Sequence, residues 1–201
     1  MTPSFAAAIL AGGSSKRMGS DKALLLIEHQ LLLDRIYSEL SQVFSQISVI
    51  GKPRPSSKIS PACFVPDLIE GIGPMSGLYT ALNIFSEPVL VVPCDMPNLN
   101  AGHIRKLLSA FQPGYRQAIV ARGVKGIEPL FAVYTQDCRE ILNSLLVQGE
   151  YALYKLIEKL KVRFVNFTAE DKNSDIFFNI NTLSDYKRAL YMKNDFKASD
   201  G

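Results

Sequence analysis

At 201 residues, 47% of them hydrophobic and 20% charged, the chain has the length of one domain and the apolar content of a packed core, which excludes a disordered polymer. Its 22 basic and 19 acidic residues leave a net charge of only +3, too small for a general nucleic-acid-binding surface. No apolar run is long enough to span a bilayer, and the N-terminal MTPSFAAAIL lacks the basic region of a secretory signal. Cys63, Cys94 and Cys138 are scattered, fitting neither a disulfide framework nor a zinc site, so a reducing, cytoplasmic setting is expected. One domain is expected over residues 1–194, with 195–201 as a disordered tail.

In chain order, residues 5–10 (FAAAIL) read as a buried strand that runs directly into LAGGSSKRMGSDK, residues 10–22. This segment combines Gly12, Gly13 and Gly19 with Lys16, Arg17 and Lys22. Glycines let the backbone turn sharply and bring N–H groups close to a ligand, nests of such groups bind anions, and the cations add donors and charge. The pattern predicts a polyphosphate cradle at the C-terminal end of a first strand. Two common phosphate motifs fail here. The P-loop needs a glycine five residues after its first, where Arg17 follows Gly12 and Met18 follows Gly13. The dinucleotide fingerprint fails because Gly71, Gly73 and Gly77 are spaced one residue too far and follow no strand directly.

Leu32, Leu33, Ile36, Tyr37, Leu40, Val43 and Phe44 recur with helical period, and residues 47–50 read as a second strand ending at Gly51. The Pro- and Ser-rich stretch 52–58 is a loop, and 63–65 a short third strand running into Asp67. Asp67 suits ribose hydroxyls, the base or a metal shell, and equally a plain turn. The small residues of 71–77 would admit a nucleotide at the start of a helix over 75–85, although an ordinary tight turn looks alike. Residues 89–92 form an apolar, central strand ending in Pro93-Cys94-Asp95-Met96-Pro97. Ligands of open α/β sheets sit beyond the strands' carboxyl ends, and a triphosphate brings Mg²⁺, which binds one or two carboxylates plus phosphate oxygens. Asp95 is therefore the expected metal ligand.

Helices over 104–111, 138–147, 151–160 and 183–193 alternate with strands over 118–121, 129–134, 162–167 and 176–180. Such alternation predicts a three-layer α/β/α, Rossmann-like fold, a mostly parallel sheet with helices on both faces. The last third would extend the sheet and supply the wall facing the acceptor. His29 and His103 fall in no triad or metal pattern.

Taken together, these segments resemble the molybdenum cofactor guanylyltransferases, which transfer GMP from GTP to molybdopterin. The resemblance covers nearly the whole chain: the 10–22 loop, Gly73-Pro74-Met75-Ser76-Gly77, Pro93-Cys94-Asp95-Met96-Pro97, Glu128-Pro129-Leu130-Phe131-Ala132-Val133-Tyr134 and Asn179-Ile180-Asn181-Thr182. The first loop alone is shared by many sugar and cofactor nucleotidyltransferases; the combination is more specific. The related cytidylyltransferases usually carry glutamine after the metal aspartate and a histidine in the later strand, where this chain has Met96 and Glu128, favouring guanine.

The resemblance implies that Leu10, Ala11, Gly12, Gly13 and Gly77 contact the nucleotide and that Asp67 binds its nucleoside side. Lys22 and Arg17 would bind the phosphates, Asp95 both Mg²⁺ and nucleotide, and Asn179 and Asn181 the pterin or the metal. It further implies GTP and molybdopterin as substrates, other molybdenum cofactor biosynthesis proteins as partners, and neither nucleic acid nor membrane. One departure is that Gly51-Lys52 stands where the family often has an asparagine near the base. Rival readings are a nucleotidyltransferase using CTP or a sugar phosphate, and a non-catalytic nucleotide-binding regulator. The regulator would be expected to lack Lys22 or Asp95, and both are present. A nicotinamide dehydrogenase is disfavoured by the failed fingerprint.

Overall fold

The computed structural model describes residues 4–12, 21–112, 114, 117–168 and 176–198. Strand β1 (Ala6–Leu10) is apolar and buried on both faces, as a central parallel strand requires. Beyond the glycine-rich segment come a hairpin of β2 (Leu26–Ile27) and β3 (Gln30–Leu31), helix α1 (Leu32–Ser41) and strand β4 (Ile47–Ile50). Strand β5 (Phe64–Val65), helix α2 (Pro74–Ile84), strand β6 (Val89–Pro93) and helix α3 (Ala101–Leu108) follow. Strands β7 (Ala118–Gly123) and β8 (Gly126–Tyr134) form an antiparallel hairpin. Helices α4 (Arg139–Val147) and α5 (Leu153–Lys159), strand β9 (Val162–Asn166) and helix α6 (Leu183–Ala198) complete the chain. Among the described residues, no helix is long and apolar enough to cross a membrane.

Among the described residues the main sheet has seven strands in the order β5-β4-β1-β6-β8-β7-β9, and every one runs parallel to β1 except β8. Alternate side chains of β1 point to opposite faces, as strand geometry dictates. Ala7 and Ile9 join a core made with α1, α3 and α6, while Ala6, Ala8 and Leu10 join a second core made with α2, α4 and α5. The expected three-layer α/β/α arrangement with a mostly parallel sheet is thus the observed one.

Four local expectations need correcting. Helix α3 starts at Ala101 rather than near 104, because Asn100 caps it by accepting from the His103 N–H at 3.0 Å. Residues 176–180 are not a strand. Their alternation buries Ile176, Phe178 and Ile180, but the segment pairs with no sheet edge among the described residues. The β2–β3 hairpin was not expected, because its turn places Glu28 and His29 at φ 50° and 65° instead of using the Asn-Gly pair that favours this geometry. Strand β8 starts at Gly126 rather than 129 and contains a bulge.

At that bulge Val120 pairs with Ala132 but Ala121 pairs with Glu128, so residues 129–131 bow out of the ladder. Pro129, with no N–H to donate, suits this position. Its carbonyl accepts the buried Tyr134 hydroxyl at 2.7 Å, which pins the bow in place.

Candidate functional site

The chain leaves β1 for β4 on one side, while β6 lies on the other, so a crevice opens between the carboxyl ends of β1 and β6. A cavity of about 530 Å³ occupies it, within the usual range for small-ligand sites. Leu10, Ala11 and Gly12 line it from the end of β1, Cys94 and Asp95 from the end of β6, and Leu130 from the bulge of β8. Asp21, Lys22 and Asp67 complete the polar side, and the first turn of α2 closes the remainder. His29 and His103 do not line it.

Strand β1 is continued by Ala11, whose N–H donates to the Ile50 carbonyl at 2.9 Å. At Gly12 the absence of a side chain matters: a Cβ there would stand 2.6 Å from Asp67 Oδ2. Gly13 and Arg17 lie outside the described residues. The described chain resumes at Asp21, whose Oδ1 accepts from the Ala23 N–H at 3.1 Å and caps the short turn Lys22–Leu24. That turn aims Lys22 across the crevice. Its Nζ donates to Asp95 Oδ2 at 3.1 Å and to Asn181 Oδ1 at 2.6 Å, and the two ion-pair side chains are only 19% and 18% exposed.

Asp67, beyond β5, faces the start of α2. The Ser76 hydroxyl lies 2.8 Å from Asp67 Oδ1 and also against the Ile69 carbonyl, with one proton to serve either acceptor. Gly73, at φ 67°, turns the chain into α2 with Pro74 in the first helical position. Gly77 lets that helix close on β1, since a Cβ there would stand 2.7 Å from Leu10 Cδ2.

Charge around Asp95 is tightly arranged. The Cys94 thiol is pushed up to about 12, chiefly by burial and then by the carboxylates of Asp95 and Asp21, so it stays protonated and is no nucleophile at neutral pH. Half-buried Glu128 also titrates above the usual carboxylate range, first through burial and then through Asp95, with Lys125 opposing. The Asp95 carbonyl accepts the Ile180 N–H at 3.0 Å, which brings the 179–182 segment to the rim. Asp185 fixes that segment by accepting from the N–H groups of Asn181 (3.0 Å) and Thr182 (2.8 Å). These bonds, with the Thr182 hydroxyl foremost, hold its carboxyl below the ordinary range. Asn179 Oδ1 is buried and takes no hydrogen bond among the described residues. Met96, by contrast, is buried in the core and does not line the cavity. Among the described residues no three His, Cys, Asp or Glu side chains cluster as a metal cage.

Arg54 was not anticipated. Its Nη2 donates to the Ala11 carbonyl at 2.6 Å, its Nε to Asp21 Oδ2 at 3.0 Å, and its Nη1 to the Lys52 carbonyl. In sequence it is a lone arginine between prolines in a loop, which reads as a solvated side chain; nothing local signals its 11% exposure.

Residues 7–164 match the MobA-like NTP transferase domain. A probable molybdenum cofactor guanylyltransferase of Pelotomaculum thermopropionicum is 34% identical over 92% of this chain and 91% of its own length. The molybdenum cofactor guanylyltransferase of Haemophilus influenzae is 32% identical over 94% of this chain and 100% of its own. The crystal structure of molybdopterin-guanine dinucleotide biosynthesis protein A from Archaeoglobus fulgidus superposes with a TM-score of 0.78 at 24% identity, covering 94% of this chain and 98% of that one, a likeness of fold. The chain therefore belongs to the molybdenum cofactor guanylyltransferase family of nucleotidyltransferases.

Proposed function

We propose that this chain transfers GMP from GTP to the terminal phosphate of molybdopterin, releasing pyrophosphate, with Mg²⁺ as the metal. The observation that carries this reading is the Lys22–Asp95 pair, joined by Asn181, at the mouth of a nucleotide-sized cavity. Leu10, Ala11, Gly12 and Gly77 form the wall against the nucleotide, and Asp67 meets its nucleoside side. Gly13 and Arg17 are assigned to the phosphates on the loop's chemistry. Asn181, beside Lys22, is assigned with Asn179 to the acceptor.

The residues suit a metal carried in by its nucleotide. Asp95 offers a carboxylate oxygen that already holds a cation, the Lys22 ammonium, and half-buried Glu128 adds negative potential nearby. Mg²⁺ takes one or two carboxylates along with phosphate oxygens and waters, so a full protein cage is not required. When bound, the ion supplies Lewis-acid polarisation and a template for the phosphate oxygens.

On arrival of GTP, Lys22 exchanges its carboxylate partner for phosphate oxygens, and Asp95 is the carboxylate that would then hold the ion. A phosphate oxygen of the acceptor forms the new bond to the α-phosphorus, while the bond from that phosphorus to the bridging oxygen breaks and pyrophosphate departs with the electron pair. The attacking phosphate is already ionised at neutral pH, so no general base is needed. Lys22 and the loop N–H groups stabilise charge as it shifts to the leaving group, and alignment supplies much of the acceleration.

Incubation with molybdopterin, Mg²⁺ and each of the four nucleoside triphosphates in turn tests this reading. Pyrophosphate release with GTP alone is the expected result. Release with CTP, or transfer to a sugar phosphate in place of the pterin, would overturn it.

A further inference from the structure

We propose that Arg54 is a positioning residue for nucleotide loading, a clasp that joins the two ends of the glycine-rich segment and so presents Lys22 before substrate arrives. The proposal rests on reading the cavity as a GTP site. One end of the segment is Ala11, whose carbonyl accepts Arg54 Nη2 at 2.6 Å; the other is Asp21, whose Oδ2 accepts Nε at 3.0 Å. The third arm of the fork holds Arg54's own loop through the Lys52 carbonyl. A planar guanidinium satisfies three such acceptors in fixed geometry, whereas a lysine ammonium is a point charge on a flexible stem.

The two oxygens of Asp21 divide the work. Oδ1 caps the turn that carries Lys22, while Oδ2 is held by Arg54, so Arg54 acts on Lys22 through Asp21. Charge points the same way. Asp21 lines the cavity, where an unpaired carboxylate would repel a triphosphate, and Arg54 offsets it. Arg54 itself does not line the cavity, so its reach into the site runs through Ala11 and Asp21, which do. Gly51 makes room for the fork. At φ +144° it bears no side chain, and a Cβ there would come within 3.1 Å of both Arg54 Nη1 and the Ala11 carbonyl carbon.

Steady-state kinetics with GTP·Mg²⁺ and molybdopterin test the clasp in Arg54→Lys, Arg54→Ala and Asp21→Asn. Loss of positioning predicts a KM for GTP raised about tenfold or more in Arg54→Ala, with kcat falling as well, because Lys22 both binds the phosphates and stabilises their shifting charge and a misplacement of about 1 Å is felt strongly at such sites. Arg54→Lys should fall between Arg54→Ala and wild type. Combining Asp21→Asn with Arg54→Ala should raise KM by less than the product of the two single effects, since both break one link. Should Arg54→Ala fail to fold, as its melting curve would show, Arg54→Lys carries the test alone. A wild-type KM for GTP in the folded variant, a fall in kcat at constant KM, or independent effects of Asp21 and Arg54 overturns the clasp. An unsubstituted chain that releases no pyrophosphate from GTP overturns the reading of the site, and the clasp with it.

Discussion

Gly77→Ala sets two known effects against each other. In the helix, alanine gains about 0.5–1 kcal/mol over glycine. Against that, the new methyl would sit 2.7, 2.9 and 3.2 Å from Leu10 Cδ2, Cδ1 and Cγ, where carbon atoms normally rest about 3.5–4.0 Å apart. Leu10 must therefore retreat by about 1 Å, yet it is only 9% exposed and packs in the same core as Ile50, Met75 and Leu78. Overpacking of this kind costs about 1–3 kcal/mol, so taking the middle of each range the net effect is destabilising by about 1 kcal/mol. For a chain of this size each kcal/mol lowers Tm by about 2–4 °C, and a reversible thermal melt should show a fall of about that size. Leu10 also forms the cavity wall, and its carbonyl accepts the Cys94 N–H at 3.2 Å, so the KM for GTP should rise together with the loss of stability. In a double substitution with Leu10→Ala the two destabilisations should sum to less than their separate values, because the clash has gone. An unchanged or higher Tm with normal kinetics would refute the argument, since it would mean that Leu10 swings aside freely.

Lys22→Ala should lower kcat/KM for GMP transfer by about 2–4 kcal/mol of transition-state stabilisation, as loss of an oxyanion-type donor does, and Asp95→Ala should abolish turnover; near-normal pyrophosphate release by either variant rejects its assigned role. Tyr134→Phe strands the buried Pro129 carbonyl and should cost about 1–3 kcal/mol in a denaturant titration, a value near zero meaning that the bulge needs no pin. Glu128 binds its proton more tightly in the folded, nucleotide-free chain than when unfolded, so stability is lost as pH rises from the ordinary glutamate range through its raised folded value. Glu128→Gln should therefore gain Tm over the parent at pH 8 and little at pH 4, and an equal difference at both would contradict the burial argument.

Strands β1 and β6 could be read from sequence because each is an unbroken apolar run, and β4, β7 and β9 because apolar residues predominate in them despite Ser48, Arg122 and Arg163. What escaped depended on partners. Residues 176–180 alternate like a strand, but only the presence of an edge to pair with could decide the matter, and the chain uses that alternation to seat three side chains in the core. The bulge in β8 is a property of register between two strands, and neither strand announces it alone. The β2–β3 turn stayed hidden because Glu28 and His29 adopt left-handed geometry that their side chains do not advertise.

The site divides along the same line. Asp95, Lys22 and Gly12 were each identifiable from local chemistry, since a carboxylate ending an apolar strand or glycines following one carry their own reason. Their pairings were not identifiable: Lys22 meets Asp95 across 73 residues and Asn181 across 159. Parallel strands make those meetings possible by delivering every carboxyl end to one rim. Strand β8 is the exception, and its reversal has a chemical consequence. Because it runs against its neighbours, its amino-terminal part reaches the rim, bringing Leu130 into the cavity and Glu128 within the field of Asp95. Were β8 parallel, its Tyr134 end would stand there instead, and Asp95 would face an aromatic ring rather than a second carboxylate. The acidity beside the proposed ion therefore comes from strand direction as much as from residue type.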